Sequence, residues 1–73
     1  MAKSFKYKHG QTVRVVTSAP VSLKPGTKVA VVGMTTLGQG RKVLNAFYPA
    51  GTDVYLIEYA DGTSLEVPEA YIE

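Results

Sequence analysis

The sequence has 73 residues, a net charge of +2, 45% hydrophobic residues and no cysteine. This is the length of one domain, residues 1–73, and its hydrophobic content excludes a disordered chain. The absence of cysteine excludes a disulfide framework and a thiolate metal site, and no segment approaches the roughly 18 apolar residues of a membrane span. A chain this small buries only about 60% of its unfolded surface. We therefore expect marginal stability, for which self-association is a common remedy.

The first eight residues carry three lysines and lack the apolar segment of a secretory signal. We therefore expect a cytoplasmic protein with no membrane partner. The start of the segment is expected to fray. Further along it, Phe5 and Tyr7 alternate with Lys6 and Lys8, a pattern typical of a short edge strand.

Residues 12–16 form the first predicted strand, with Val13 and Val15 on one face. A loop over residues 21–24 follows. Residues 24–27, Lys-Pro-Gly-Thr, have the signature of a type II turn, because proline sets the first corner and glycine supplies the positive φ of the second.

Residues 27–34 form the second predicted strand, and its centre, residues 29–32, is apolar on both faces. Such a strand must be covered on both sides, and we expect a second copy of the chain to supply one cover. Gly33 predicts a bulge or sharp bend. Residues 35–41 are predicted to be a mobile loop. Residues 42–48 fit a short strand or one helical turn, and we favour the strand.

Residues 54–67 contain the clearest pattern of the chain, two strands joined by a turn. A two-residue turn places each of two carboxylates opposite an apolar side chain. A three-residue turn with Gly62 in the left-handed position makes one face wholly apolar or aromatic, because it pairs Tyr59 with Thr63, Ile57 with Leu65 and Tyr55 with Val67. We therefore predict the three-residue turn, a 3₁₀ turn over residues 68–70, and a last short strand at Tyr71 and Ile72.

Together these elements resemble an SH3-like β-barrel over about three-quarters of the chain. The matching segments are the opening at residues 10–15, the Pro25-Gly26 turn, the strand at 29–32 and the ending at 54–72. The resemblance implies an all-β fold, a small barrel of about five antiparallel strands with a short 3₁₀ turn before the last strand.

Two families with this pattern are the β-subunit barrel of nitrile hydratase and type II dihydrofolate reductase. The metal of the first is held by cysteines of another subunit, to which nothing here corresponds. The pore of the second is lined by Gln-Ile-Tyr before a proline, where this chain has Leu65, Glu66 and Val67 before Pro68. The resemblance therefore implies the fold without either activity, and we predict no catalytic, metal-binding or cofactor-binding residue and no cofactor.

Other polar residues have ordinary structural interpretations. His9 is the only histidine and is predicted to be half-exposed. Asp61 suits the turn beside Gly62, and Glu58 and Glu66 are predicted to share a solvated face. Residues 38–42, Gly-Gln-Gly-Arg-Lys, could bind a phosphate through backbone amides and two cations, but a flexible loop with solvated cations is the simpler interpretation.

The function favoured by these patterns is a non-enzymatic interaction module that self-associates and binds a protein partner. A homodimer or homotetramer is expected, because apolar residues fall on a face that the inner core does not need, namely Val54, Leu56, Val32 and Ala30. Tyr48 and Tyr71 are predicted to line a ligand groove or a partner contact, since peptide-binding barrels use aromatic grooves for proline-rich ligands.

Two other functions stay open. One is weak binding of single-stranded nucleic acid through a basic and aromatic set, Lys6, Tyr7, Lys8, Arg14, Arg41 and Lys42. The other is an oligomeric enzyme with a pore-type site at the symmetry axis, built from copies of one residue.

Overall fold

The structure is a computed structural model that describes residues 4–73. Within that range lie six strands and two 3₁₀ turns: β1 (Thr12–Arg14), η1 (Val21–Leu23), β2 (Lys28–Thr36), β3 (Arg41–Val43), β4 (Ala46–Tyr48), β5 (Asp53–Glu58), β6 (Ser64–Pro68) and η2 (Glu69–Tyr71). Four strands form an antiparallel main sheet in the order β1–β2–β5–β6, and β3 and β4 form a separate hairpin. The predicted all-β class is confirmed. The ladders of the described residues make two sheets and do not close into one barrel.

The β5–β6 hairpin has the predicted register. The Tyr59 amide donates to the Thr63 carbonyl at 2.8 Å, and the Gly62 amide donates to the Tyr59 carbonyl at 2.9 Å. Ile57 pairs with Leu65 and Tyr55 with Val67. Gly62 has φ +90°, a conformation that residues with a side chain rarely adopt, so the glycine fixes the three-residue turn and with it the face that each side chain occupies.

The apolar face of that hairpin lies in the main core. Tyr55, Ile57 and Val67 are completely buried and Tyr59 nearly so. The remaining buried members come from the first half of the chain and from its end: Tyr7, Val13, Val15, Ala19, Leu23, Val29, Val31 and Ile72. Because Ala19 and Leu23 belong to this core, packing holds the loop that ends in η1 in place.

β2 contains the predicted irregularity. Val31 pairs with Ile57 but Gly33 pairs with Leu56, so Val32 is an extra residue and the register shifts at this bulge. The strand also runs to Thr36, beyond its predicted end. The expectation that residues 35 and 36 belong to a mobile loop is therefore wrong, because the Thr36 hydroxyl donates to the Asp53 carboxylate at 2.7 Å.

The two ends of the main sheet are tied together by the C-terminal residues. β1 is shorter than predicted, but beyond it Val15 forms a bridge with Ile72. The Arg14 and Glu73 backbones exchange two hydrogen bonds, of 3.0 and 2.9 Å. The returning segment follows η2, which lies one residue later than the predicted 3₁₀ turn.

Residues 42–48 are not one strand. They contribute to two, β3 and β4, joined at Leu44 and Asn45. The single-strand prediction failed because this turn lacks a glycine or proline, and Leu44 itself adopts φ +58°.

The β3–β4 hairpin packs on the outer face of the main sheet. It forms a second core in which Leu37, Val43 and Val54 are buried and Tyr48 packs against them. Val54 was predicted to lie on an exposed self-association face, and this is wrong, because its own chain covers it completely.

The N-terminal segment packs on the main core without forming the edge strand proposed for it. The rings of Phe5 and Tyr7 meet the Tyr55 ring edge to face, with centroids 6.0 and 5.5 Å away. The Tyr7 hydroxyl donates to the Ile72 carbonyl at 3.2 Å. The predicted fraying concerns residues 1–3, which lie outside the described range.

Candidate binding site

A cleft of about 450 Å³ lies where η1, the β3–β4 hairpin and η2 meet. Its floor includes Leu23 and Val43, each about 2% exposed. Tyr48 and Tyr71 form part of its wall. Pro20, Ser22, Leu44, Asn45 and Ala46 complete the lining. The two tyrosines predicted to line a groove therefore share one, and their role in ligand or partner binding stays a prediction.

The two tyrosines act as a pair. Burial of the Tyr48 phenol, and then its contact with the Tyr71 phenol, raises the pKa of Tyr48 above its ordinary value of 10.0. Both rings are only half-buried. They therefore offer apolar ring surface and a phenol hydroxyl, a combination common at recognition surfaces.

The η1 side of the cleft is held in place by Tyr59. The Tyr59 hydroxyl donates to the Leu23 carbonyl at 2.5 Å, and the Lys24 ammonium lies 5.7 Å from the centre of the Tyr59 ring. Lys24 also approaches the Asp61 carboxylate at 4.0 Å. These contacts fix the loop from below, so this wall of the cleft is formed before any ligand arrives.

Two exposed apolar residues belong to the cleft lining or adjoin it in the chain. Val21, between the lining residues Pro20 and Ser22, is 88% exposed, and Leu44 is 39% exposed. Neither residue stands out in the sequence, because isolated apolar residues in loops are ordinary and the turn at Leu44 contains no glycine or proline.

A second, shallower cleft of about 570 Å³ shares the Tyr48 wall and contains three carboxylates, Asp53, Glu69 and Glu73. Two of them accept hydrogen bonds within the chain. Asp53 accepts from Thr36, and Glu69 accepts from the Tyr55 hydroxyl at 3.0 Å. Burial is the main cause that raises the pKa of Tyr55. These contacts explain the two carboxylates as part of the fold.

The predicted self-association face survives only in part. With Val54 buried, it comprises Leu56, which is 39% exposed, and the half-buried Ala30 and Val32. Leu56 lies against the bulge, where a Cβ added to Gly33 would stand 3.4 Å from the Leu56 Cβ.

The predicted basic and aromatic set is not one surface for stacking. Tyr7 is only 6% exposed, so it cannot stack on a base. Arg41 is occupied, because its guanidinium donates to both Glu66 oxygens at 2.8 and 2.9 Å. Arg41 and the other four members of the set, Lys6, Lys8, Arg14 and Lys42, are exposed.

The most exposed aromatic residue is one that the sequence analysis did not select. Phe47 is 67% exposed on β4. Its position opposite Lys42 becomes visible only once residues 41–48 are recognised as a hairpin.

The remaining polar candidates have structural roles or none. The Asp61 carboxylate accepts from the Thr63 amide at 2.9 Å and from its hydroxyl at 2.7 Å, the predicted turn role. His9 is exposed. Residues 4–73 contain no group of three or more His, Cys, Asp or Glu side chains able to hold a metal ion, and none of their helices is long and apolar enough to cross a membrane.

Comparison of the chain with known protein families, with curated proteins and with solved structures gave no match.

Proposed function

We propose that this chain is a non-enzymatic interaction module with an SH3-like arrangement, and that the cleft lined by Tyr48 and Tyr71 binds an extended apolar segment of a protein partner. The observation that carries the proposal is the shared cleft itself. Two half-buried tyrosines that are far apart in the sequence lie over one apolar floor.

The SH3-like arrangement is supported by the chain order. An opening strand is followed by a long loop with a 3₁₀ turn, then by β2, the β3–β4 excursion and the β5–β6 hairpin. A second 3₁₀ turn precedes the segment that pairs with Val15. In this scheme the cleft lies between the loop that contains η1 and the β3–β4 hairpin.

The shape and chemistry of the cleft favour an extended peptide. Its volume is within the usual range for a binding site, and its lining combines an apolar floor with two phenols. Aromatic grooves of this type bind proline-rich segments, which are extended before binding and lose little conformational entropy.

Leu44 supports a binding role independently. A bulky residue with positive φ is an outlier that asparagine or glycine would relieve, yet Leu44 occupies the turn with its side chain 39% exposed at the cleft. Because leucine suits neither the turn nor the exposed position, the residue fits a contact with a ligand better than a need of the fold.

The proposal is tested by selecting binders from a displayed library of random peptides about twelve residues long. We expect enriched apolar, proline-containing sequences whose binding is lost in Tyr71→Ala. The matched control is Leu56→Ala, an exposed apolar residue of the main sheet, which should bind normally. Selected peptides that bind Tyr71→Ala and the wild type equally, or the failure to enrich any sequence, would contradict the proposal.

Self-association through Leu56, Ala30 and Val32 is a second proposed property, and the partial exposure of Leu56 beside the β2 bulge favours it. Light scattering at micromolar concentration should then give a mass above the 7.9 kDa of one chain. Leu56→Glu should return it to that mass. A wild-type mass of one chain would remove this second property without affecting the cleft.

A further inference from the structure

The outward face of the β3–β4 hairpin presents one aromatic ring. Val43 packs on the main sheet and the neighbouring Lys42 points the opposite way, because side chains alternate along a strand. Phe47 pairs with Lys42 and shares its outward side. Phe47 is 67% exposed, although aromatic residues of this chain are otherwise buried or half-buried among the described residues.

The Phe47 ring packs against Gly40. A Cβ added to Gly40 would stand 2.4 Å from Phe47 Cζ, so the distal end of the ring occupies the space that any other residue would fill. Gly40 does not have positive φ, and its lack of a side chain is explained by this contact. The ring is therefore supported on one side and open to solvent on the other.

The electrostatics around the ring favour an anion. Residues 37–52 contain two cations, Arg41 and Lys42, and no carboxylate. Glu66 on β6 binds Arg41 and neutralises it, which leaves the exposed Lys42 as the uncompensated charge, directly opposite Phe47.

The surroundings of the ring do not suit a protein interface. A stable interface needs about 800 Å² on each partner with an apolar centre, whereas Phe47 stands beside Lys42 and the small or polar residues of the 38–40 loop. One open ring with a neighbouring cation fits a planar, anionic ligand instead.

We propose that this outward face binds single-stranded nucleic acid, with a base stacked on Phe47 and the adjoining phosphate paired with Lys42. The site is separate from the cleft lined by Tyr48 and Tyr71. Its stacking ring is the exposed Phe47, and not the buried Tyr7 of the set predicted from the sequence. Stacking on an aromatic side chain tolerates any base, so the site discriminates weakly between sequences. With one ring and one uncompensated cation the affinity is low, and binding along a strand relies on several copies of the chain.

The experiment is an amide NMR titration of the whole chain with oligo-deoxythymidine of about ten nucleotides, at about 20 mM and about 200 mM salt. We expect shifts centred on residues 38–42 and 47, with affinity that falls as salt rises. Phe47→Leu keeps an apolar side chain without the ring and should weaken binding about 5- to 150-fold, while Phe47→Tyr should retain it. Lys42→Gln should reduce the slope of log affinity against log salt by about 0.7.

Tyr71→Ala serves as the matched control, because it alters the cleft and should leave oligonucleotide binding unchanged. The variants are compared only where their amide spectra show the wild-type fold. Equal affinity of Phe47→Leu and the wild type, shifts centred on the cleft, or no shift at low salt would each overturn the proposal. A protein that binds through Phe47 while oligo-deoxythymidine does not would overturn it as well.

Discussion

The main sheet and the β3–β4 hairpin are held by very different amounts of buried apolar surface. Among the described residues the main core contains twelve buried side chains, drawn from Tyr7 to Ile72, while the second core contains three. The hairpin is otherwise fixed to β6 by the exposed pair of Arg41 and Glu66. Because local stability follows buried contacts, the hairpin should open without unfolding the sheet. We therefore expect the hairpin that carries Leu44, Phe47 and Tyr48 to be more mobile than the sheet it packs on.

The largest effect is expected in the main core. Ile57→Ala removes a completely buried side chain and should lower the free energy of unfolding by about 2–5 kcal/mol. This is a large share of the roughly 4–11 kcal/mol expected for a chain of this length. The adjacent Leu56→Ala should cost much less, since Leu56 is 39% exposed. Urea unfolding measures both, and similar losses would contradict the assignment of inner and outer faces.

Val43→Ala should sharpen the contrast between the two regions. It removes part of the three-residue second core and should cost about 2 kcal/mol, mostly from the hairpin. Hydrogen exchange of amides in residues 41–48 should accelerate while exchange in residues 55–58 changes little. Lys42→Ala, on the outward side of the same strand, is the control. Equal acceleration in both regions would show that they unfold as one unit.

Leu44→Asn should separate stability from binding. Asparagine tolerates positive φ, so the variant should gain about 1 kcal/mol in the free energy of unfolding. The same change removes an apolar side chain from the cleft rim, so binding of the selected peptides should weaken. A variant that is both more stable and equally able to bind would leave the leucine without the role proposed for it.

The smallest effect is expected in the stability of the hairpin at acid pH. Hydrogen bonds from Arg41 hold the pKa of the Glu66 carboxyl below its ordinary value of 4.5. Because the folded-state pKa is depressed, the stabilisation is complete above pH 4.5 and disappears as the pH falls through the folded-state pKa. In Glu66→Gln, the protection of hairpin amides from hydrogen exchange should therefore depend less on pH in the acid range. Glu58→Gln, on the same outer face, is the control, and an identical acid profile for wild type and Glu66→Gln would contradict the role of the pair.

Sequence patterns predicted the main sheet well. In the β5–β6 hairpin the choice of turn length decided whether carboxylates faced apolar partners, so one glycine and the alternation of side chains settled the register. Gly33 marked the bulge in β2, and the Lys24–Thr27 turn forms with Gly26 at φ +84° and a hydrogen bond of 3.2 Å across it.

The same patterns failed at the β3–β4 hairpin. Its turn has leucine at the first position, where glycine is usual, so Asn45 alone is a weak local sign that the chain reverses. The hairpin covers Val54, so a prediction that lacks the hairpin also fails to predict that Val54 is buried. Tyr48 and Tyr71 were selected only because the register assigned other tyrosines to the core. Their meeting in one cleft depends on long-range packing, which one sequence does not encode in any local pattern.

We propose the cleft between the β3–β4 hairpin and η2 as the partner site of this chain. Amide NMR mapping with a soluble proline-rich peptide from the library selection measures it most directly. We expect shifts concentrated at residues 20–23, 43–48 and 71, with peptide binding retained in Phe47→Leu and lost in Tyr71→Ala. Shifts centred on Leu56 and Ala30, with the cleft residues unmoved, would contradict it.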